Sequence, residues 1–522
     1  FLSFKFPPLM GKVLGRLSLV SSLTLFSRFL GLARDVLFFG CFGASLVGEA
    51  FILAFTFPNL FRRMLGEGTL SSAFIPVFTE TLRESKAKAL DLLNQVTSRL
   101  FIFLGVITLI VSLFSYYASG LVWVGETKWA NGLFLNSISF GYVVLICSSA
   151  IMVGALNSTG RFFEGAFSPI LLNLCMISSM LLGKYFLRME ISDVAILLCF
   201  SVLIAGVLQL FLPWLKLKSE MGWRWQISMS DTKEMSQIKA LFWVGALGAA
   251  VGQVNILISR FLAYSLEESG GLSYLFLSSR LVELPLGVFA IAISTVLFPE
   301  MAKTAGGVNR AKFWESVCTG LRLTAGITIP AAMGLAFLSA PILTALFQWG
   351  EFGTEEVGQA KGILIISSMG LPFYAISTFL VKVYHSKKNM KLPLQAAVVS
   401  MLTNLLLSLL LISDYQVHGL AWANVLAAAL QSVYLAIRLE ELRLKEILSN
   451  RPFFTYSIIL STSLMALFLW VADYLYLGPV TKIECIIFLL VMIPLSVMVY
   501  GGSLFFFGFP EASSLMNRFR KK

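Results

Sequence analysis

Arginines and carboxylates stand inside apolar runs of this chain, and their types and spacing point to anion binding. The first run carries Arg28, Arg34 and Asp35. The second opens with Glu49 and closes with Asn59, Arg62 and Arg63, with Glu67 just beyond. A later run carries Arg280 and Glu283. Arg28 and Asp35 are seven residues apart, so on a helix they share a face, while Arg34 projects to another side. Arg280 and Glu283, three apart, also face together. A guanidinium stays protonated and offers a planar fork of donors that matches phosphate oxygens. At the centre of a membrane helix each Arg or Asp costs about 2.5–3.5 kcal/mol, so three on one lipid-facing helix would cost on the order of 8–10 kcal/mol. The cheaper arrangement turns them onto a hydrated cavity, where several arginines suit an anionic head group such as a diphosphate. The plainer alternative is that Arg28, Arg34 and Arg280 only neutralise Asp35 and Glu283. The two are compatible if such pairs open to admit a ligand. Arg62 and Arg63, at the end of their run, also suit a snorkelling anchor.

The elements that position these residues are membrane helices. The chain has 522 residues, 57% of them apolar and only 13% charged, against about 25% charged in soluble domains. Fourteen runs reach the membrane-spanning length of about 20 residues. They lie near 13–40, 46–66, 92–119, 132–157, 165–187, 192–215, 238–265, 272–301, 313–338, 356–384, 392–412, 417–438, 453–475 and 483–507. The net charge of +12 does not point to nucleic acid, because the excess lies in alternate loops. One set of loops carries clusters such as Arg83-Lys86-Lys88, Lys216-Lys218-Arg224 and Lys387-Lys388-Lys391. The other set carries only Lys128, Lys184, Arg188, Lys361 and Lys482. That alternation predicts an even number of spans with both termini cytoplasmic. The first run is followed by further spans and lacks a small-residue cleavage site, so it reads as a span and not a cleaved leader. Residues 1–9, ahead of Met10, read either as an over-extended start or as a disordered tail.

Six cysteines show no metal or disulfide spacing, and two histidines are too few for a His-based metal site, so neither metal nor cofactor is expected. No phosphate-binding GxxxxGK[ST] loop and no HExxH zinc motif appears, so an enzyme is not expected. Span seven offers Asn255, Ser259 and Arg260 but no carboxylate, and span eleven offers Asn404, so an acid-based cation site is not expected there. Arg260 and Arg322 fall in apolar runs with no partner evident from sequence. Pro58, Pro285, Pro330 and Pro372 lie within spans and favour kinks.

The chain reads as two related halves. Ser27-Arg28-Phe29-Leu30 recurs as Ser259-Arg260-Phe261-Leu262, an offset of 232. Ala73-Phe74-Ile75-Pro76 resembles Val296-Leu297-Phe298-Pro299 at 223, and Pro169 matches Pro393 at 224. The near-constant offset predicts a parallel duplication of six spans. The expected division is a lobe at 1–215, an interfacial linker at 216–237, a second lobe at 238–440, and two further spans with a basic tail at 441–522. Trp223 and Trp225 in the linker suit a membrane interface.

One stretch also resembles a known family. Ser27, Arg28, Leu30, Gly31, Arg34 and Asp35, then Pro58, Asn59, Arg62, Arg63, Glu67 and Gly68, then Ala73, Phe74 and Pro76 follow the pattern of the MurJ (MviN) family, and so do Arg280, Glu283 and Pro285. That family is one of lipid II flippases, in the superfamily of multidrug (MATE) exporters. The resemblance implies an all-α polytopic protein of the bacterial inner membrane. It implies export of undecaprenyl-diphosphate-linked muropeptide to the periplasmic leaflet by alternating access. Arg28, Arg34, Asp35, Arg62, Arg280 and Glu283 are the expected substrate contacts. Glu49, Asn59, Arg63 and Glu67 are expected to gate or support them. The expected partners are lipid II, membrane lipid and cell-wall synthesis proteins. A flippase for another polyprenyl-diphosphate glycan, a drug/cation antiporter and a non-transporting scaffold for cell-wall enzymes are the alternatives. A cavity for organic cations should be acidic, and a scaffold would not need buried arginines.

Overall fold

A computed structural model describes residues 8–64, 70–122, 127–305, 310–439, 453–475 and 481–509. Contacts group the chain into two compact units, Phe1–Leu257 and Ile258–Lys522. The described residues are almost entirely helical.

The first unit begins with α1 (Pro8–Phe42), which carries Arg28, Arg34 and Asp35, and α2 (Leu46–Phe61). Ser45 caps α2 by accepting from the Gly48 amide, which fixes the entry of the helix just before Glu49. α3 (Leu70–Glu84), α4 (Lys86–Val122), α5 (Thr127–Ser139) and α6 (Tyr142–Ser158) follow. α7 (Phe163–Met180) widens into a π-helical end at Leu181–Phe186 before α8 (Ile191–Met221). The core of this unit packs Phe74 and Phe78 of α3, Leu92 and Leu93 of α4, and Ile151 and Leu156 of α6 together with Trp223.

α9 (Lys233–Tyr264) starts in the first unit and ends in the second. Then come α10 (Gly271–Pro285), a π-helical turn at Leu286–Ala290, α11 (Ile291–Thr304), α12 (Arg310–Phe337) and α13 (Ser339–Phe347). α14 (Thr354–Met369), α15 (Leu371–Ser386), α16 (Lys391–Arg438), α17 (Phe453–Leu475) and α18 (Lys482–Phe506) complete it. Met301, Phe313, Phe379, Leu380, Tyr384 and Leu435 form its main core.

Ten helical stretches are long and apolar enough to cross a membrane among the described residues. One of them, α16, is two helices joined at Gln416, whose backbone departs from helical geometry (φ 47°, ψ −128°). Gly419 makes that junction possible, because a Cβ there would lie 2.5 Å from the Leu411 carbonyl oxygen. The remaining expected runs, at α1, α2 and α9, are also helical, and each carries charge within it: Arg28, Arg34 and Asp35 on α1, Glu49 on α2 and Arg260 on α9. Leu109, Ile110 and Phe114 stay exposed on α4, as a lipid-facing surface requires.

The segment after α8 is a strap bound to α4. Trp223 is 1% exposed and donates from its indole to Asn94 Oδ1 at 2.8 Å. Trp225 donates to Ser98, and the Ser228 amide donates to the same hydroxyl. Arg99 closes the strap by donating to the Met229 and Ser230 carbonyls and to Asp231. Trp223 is therefore packed into the core of this unit, while Trp225 remains exposed.

Candidate functional site

α1 carries the first cluster. Arg34 folds back onto its own neighbour: Nε and Nη2 donate to Asp35 Oδ1 at 3.0 and 2.6 Å. Its Nη1 donates to Asn173 Oδ1 on α7 at 3.0 Å, and Asn173 returns a bond from Nδ2 to the Ser27 carbonyl. Both charged side chains are largely buried, at 12% and 11% exposure. A guanidinium has five N–H donors, so Nη1 and Nη2 each keep one N–H for a further acceptor. Helical spacing places Arg34 and Asp35 in different directions, yet the long Arg side chain closes the gap. Arg28 is exposed and forms no ion pair among the described residues. Asp35 is thus engaged by Arg34 and not by Arg28.

α2 carries the second cluster. Arg62 Nε donates to Asn59 Oδ1 at 3.0 Å, one turn earlier. Residues 62–64 wind as a wider π turn, and Arg62 at its start keeps helical backbone, its amide donating to the Asn59 and Pro58 carbonyls. Arg63 is half-buried beside it. Glu67 lies outside the described residues. At the other end of α2, Glu49 is fully buried and pairs with Lys128 Nζ of α5 at 3.0 Å.

The second unit holds a separate cluster. Arg280 Nη1 donates to Glu283 Oε2 at 3.0 Å, with 25% and 47% exposure. Pro285 ends α10 two residues later, and the π turn follows at once. The Phe276 ring lies 4.8 Å from the Arg280 guanidinium and 5.2 Å from that of Arg260 on α9. One aromatic face region therefore steadies two cations by cation–π attraction. Arg260, without a partner on sequence grounds, belongs to this cluster.

Behind Arg260 is a neutral network. Asn404 donates to Ser259 Oγ at 2.8 Å, Ser259 donates to Asn424 Oδ1 at 3.1 Å, and Ser408 donates to Asn404. Asn404 and Ser408 are fully buried. Among the described residues no group of three His, Cys, Asp or Glu side chains could hold a metal ion.

A related tie occurs inside each unit, to a backbone carbonyl in the first and to a serine hydroxyl in the second. Asn173 ties α7 to the Ser-Arg-Phe-Leu segment of α1, and Asn404 ties α16 to the Ser-Arg-Phe-Leu segment of α9. The two asparagines are 231 residues apart, within one of the offset between the segments they hold. Sequence reading missed Asn173, Phe276 and the partnership of Lys128 with Glu49. The repeat offset was the available signal for Asn173, since Asn404 had been singled out. Nothing in the sequence signals the other two.

Many apolar helices with guanidinium–carboxylate pairs inside them define a class: a multi-pass helical membrane transporter. Solved transporters share the fold. An inward-facing multidrug MATE-family transporter of the MOP superfamily aligns with a TM-score of 0.65 over 81% of this chain and 98% of its own, at 12% identity. A structure titled "Lipid II flippase MurJ, inward closed conformation" aligns with a TM-score of 0.78 over 97% of this chain and 100% of its own, at 26% identity. The family described as "Lipid II flippase MurJ" matches residues 40–492, and the chain belongs to that family. A probable lipid II flippase MurJ of Bdellovibrio bacteriovorus is 33% identical over 81% of both chains. One of Vibrio cholerae is 31% identical over 80% of this chain and 81% of its own.

Proposed function

We propose that this chain moves lipid II from the cytoplasmic to the periplasmic leaflet of a bacterial inner membrane. Its diphosphate-sugar head enters a basic cavity while the polyprenyl tail stays in lipid. Arg28, Arg34, Arg62 and Arg280 hold the diphosphate, Asp35 and Glu283 restrain the arginines between cycles, and alternating access carries the head across. Asn59 and Arg63 support Arg62, and Glu67 completes that end of the site. The Glu49–Lys128 pair closes the periplasmic end. Both termini lie in the cytoplasm, and cell-wall synthesis proteins are the partners that use the exported lipid. The carrying observation is the Arg34 clasp. It is a buried guanidinium held from two sides with N–H donors in reserve, which suits capture of a phosphate by exchange of acceptors.

Asp35 and Glu283 are each occupied by an arginine, which disfavours capture of organic cations by an antiporter. The test uses the purified protein in liposomes with labelled lipid II, an undecaprenyl-diphosphate glycan lacking the peptide, and a lipophilic cation. Transport of lipid II alone is expected. Transport of the cation without lipid II would overturn the reading.

A further inference from the structure

A second site lies in the first unit, away from the arginine clasp. A cavity of about 560 Å³ opens where α1, the α6–α7 turn and the end of α8 meet. That is within the range of about 300–1,000 Å³ typical of small-molecule sites. It lies at the ends of spans, the depth of lipid headgroups.

Its wall has three chemistries. Glu164, in the first turn of α7, is 5% exposed, and its Oε2 has no hydrogen-bond partner among the described residues. The positive end of α7 favours a carboxylate there but gives this oxygen no donor. Burying such an oxygen is costly unless a ligand supplies one. Arg161 lies in the preceding turn, and it pairs with Glu220 of α8, to which Lys216 Nζ also comes within 3.0 Å. Two cations on one carboxylate leave positive charge to spare. The N-cap residue of α7, Phe162, gives no side-chain cap, so the first amides of an 18-residue helix also favour an anion. Leu19, Phe162 and Phe163 supply exposed apolar wall.

We propose that this cavity binds a phosphoethanolamine zwitterion, the headgroup chemistry of an aminophospholipid. Its phosphate meets Arg161 and the α7 amides. Its primary ammonium donates to Glu164. Its glycerol and upper acyl carbons run along Leu19, Phe162 and Phe163. A quaternary ammonium has no N–H to give Glu164, so choline lipids fit poorly. A metal ion is a weaker occupant, because Glu220 is already committed to two cations and Glu164 is the one remaining carboxylate in the wall.

The test is native mass spectrometry of the full chain, delipidated in detergent and titrated with short-chain phosphatidylethanolamine and its mono-, di- and trimethylated forms. Free O-phosphoethanolamine and phosphatidylglycerol complete the set. The wild-type chain should retain phosphatidylethanolamine about tenfold more tightly than the trimethylated lipid, with a stepwise fall between them. Glu164→Gln should level the series, and Arg161→Ala should weaken every member. Free O-phosphoethanolamine binding as tightly as the lipid would support the same site with a soluble ligand. Equal retention of all four ethanolamine-to-choline lipids by the wild type would overturn the proposal, as would preference for phosphatidylglycerol. The methylation series needs no variant, so a folding defect in Glu164→Gln would leave it decisive. Persistence of the preference in folded Glu164→Gln would also overturn it.

Discussion

Arg34 is held by two residues of different kinds, and they can be separated by mutation. Asp35 supplies charge and Asn173 supplies direction. Removing Asn173 leaves the ion pair but frees Nη1. Asn173→Ala should therefore lower transport about tenfold, the scale of one hydrogen bond to a charged group, at unchanged membrane abundance. Complementation of cell-wall growth alongside quantitative membrane blotting checks this. Arg34→Lys should recover only part of the activity of wild type, because an ammonium keeps the charge but loses the fork. Glu49→Gln is a different case. It leaves the Lys128 ammonium buried without its counter-charge, and removal of one partner of a buried pair costs about 3–5 kcal/mol. A lower melting temperature in detergent is expected, with recovery in the Glu49→Gln, Lys128→Met double variant. The charged positions themselves were legible because ionisable residues in apolar runs are costly and conspicuous. Asp35 and Glu283 were legible as ion-pair partners, but the uncharged partners were not. Asn173 lies 139 positions from Arg34, and only folding of α7 against α1 brings them together. Helical spacing sets apart the Cβ atoms of Arg34 and Asp35, but a guanidinium reaches several ångströms further and closes the pair.

At the scale of elements, helices were legible and irregular backbone was not. Apolar runs of sufficient length could only be helices in lipid. Two of the four span prolines marked changes of winding, π turns following Pro58 and Pro285 beside Arg62 and Glu283, while Pro330 lies within α12 and Pro372 in the first turn of α15. The docking of the strap after α8 onto α4 was not legible, because tryptophans suit an interface and a core alike. In the fold they are donors to one polar stripe of α4, Asn94 and Ser98. Trp223→Ala should cost about 3–5 kcal/mol, as large-to-small core changes do, and lower the melting temperature. The strap also has a pH signature. Asp231 is held below its ordinary value of 3.8, first by the hydrogen bond from Lys239 and its charge, then by the charge of Arg99. Its ion pairs are therefore complete above that ordinary value and are lost as pH falls through the depressed one. Melting temperature should drop as pH falls below about 4, and Asp231→Asn should shrink that drop.

At the scale of the whole molecule, the alternating loop charges make an orientation prediction. Ser269 is exposed between α9 and α10, while Lys88 and Lys388 are exposed at ends assigned to the cytoplasm. In a cysteine-free background, cysteine at Ser269 should react with an impermeant thiol reagent from outside, and cysteine at Lys88 or Lys388 should not. Lys128 is unsuitable as a reporter, because it is buried against Glu49. Of the three short echoes, the two Ser-Arg-Phe-Leu segments each accept a hydrogen bond from an asparagine of a neighbouring helix in their own unit. The central proposal is that Arg28, Arg34, Arg62 and Arg280 hold the diphosphate of lipid II. Its most direct measurement is the flipping rate of labelled lipid II in liposomes containing wild type, Arg34→Ala or Arg280→Ala at equal protein density. Wild type is expected to flip and both variants to fall to the protein-free rate while retaining their helical fold. Wild-type flipping by either variant would contradict the mechanism.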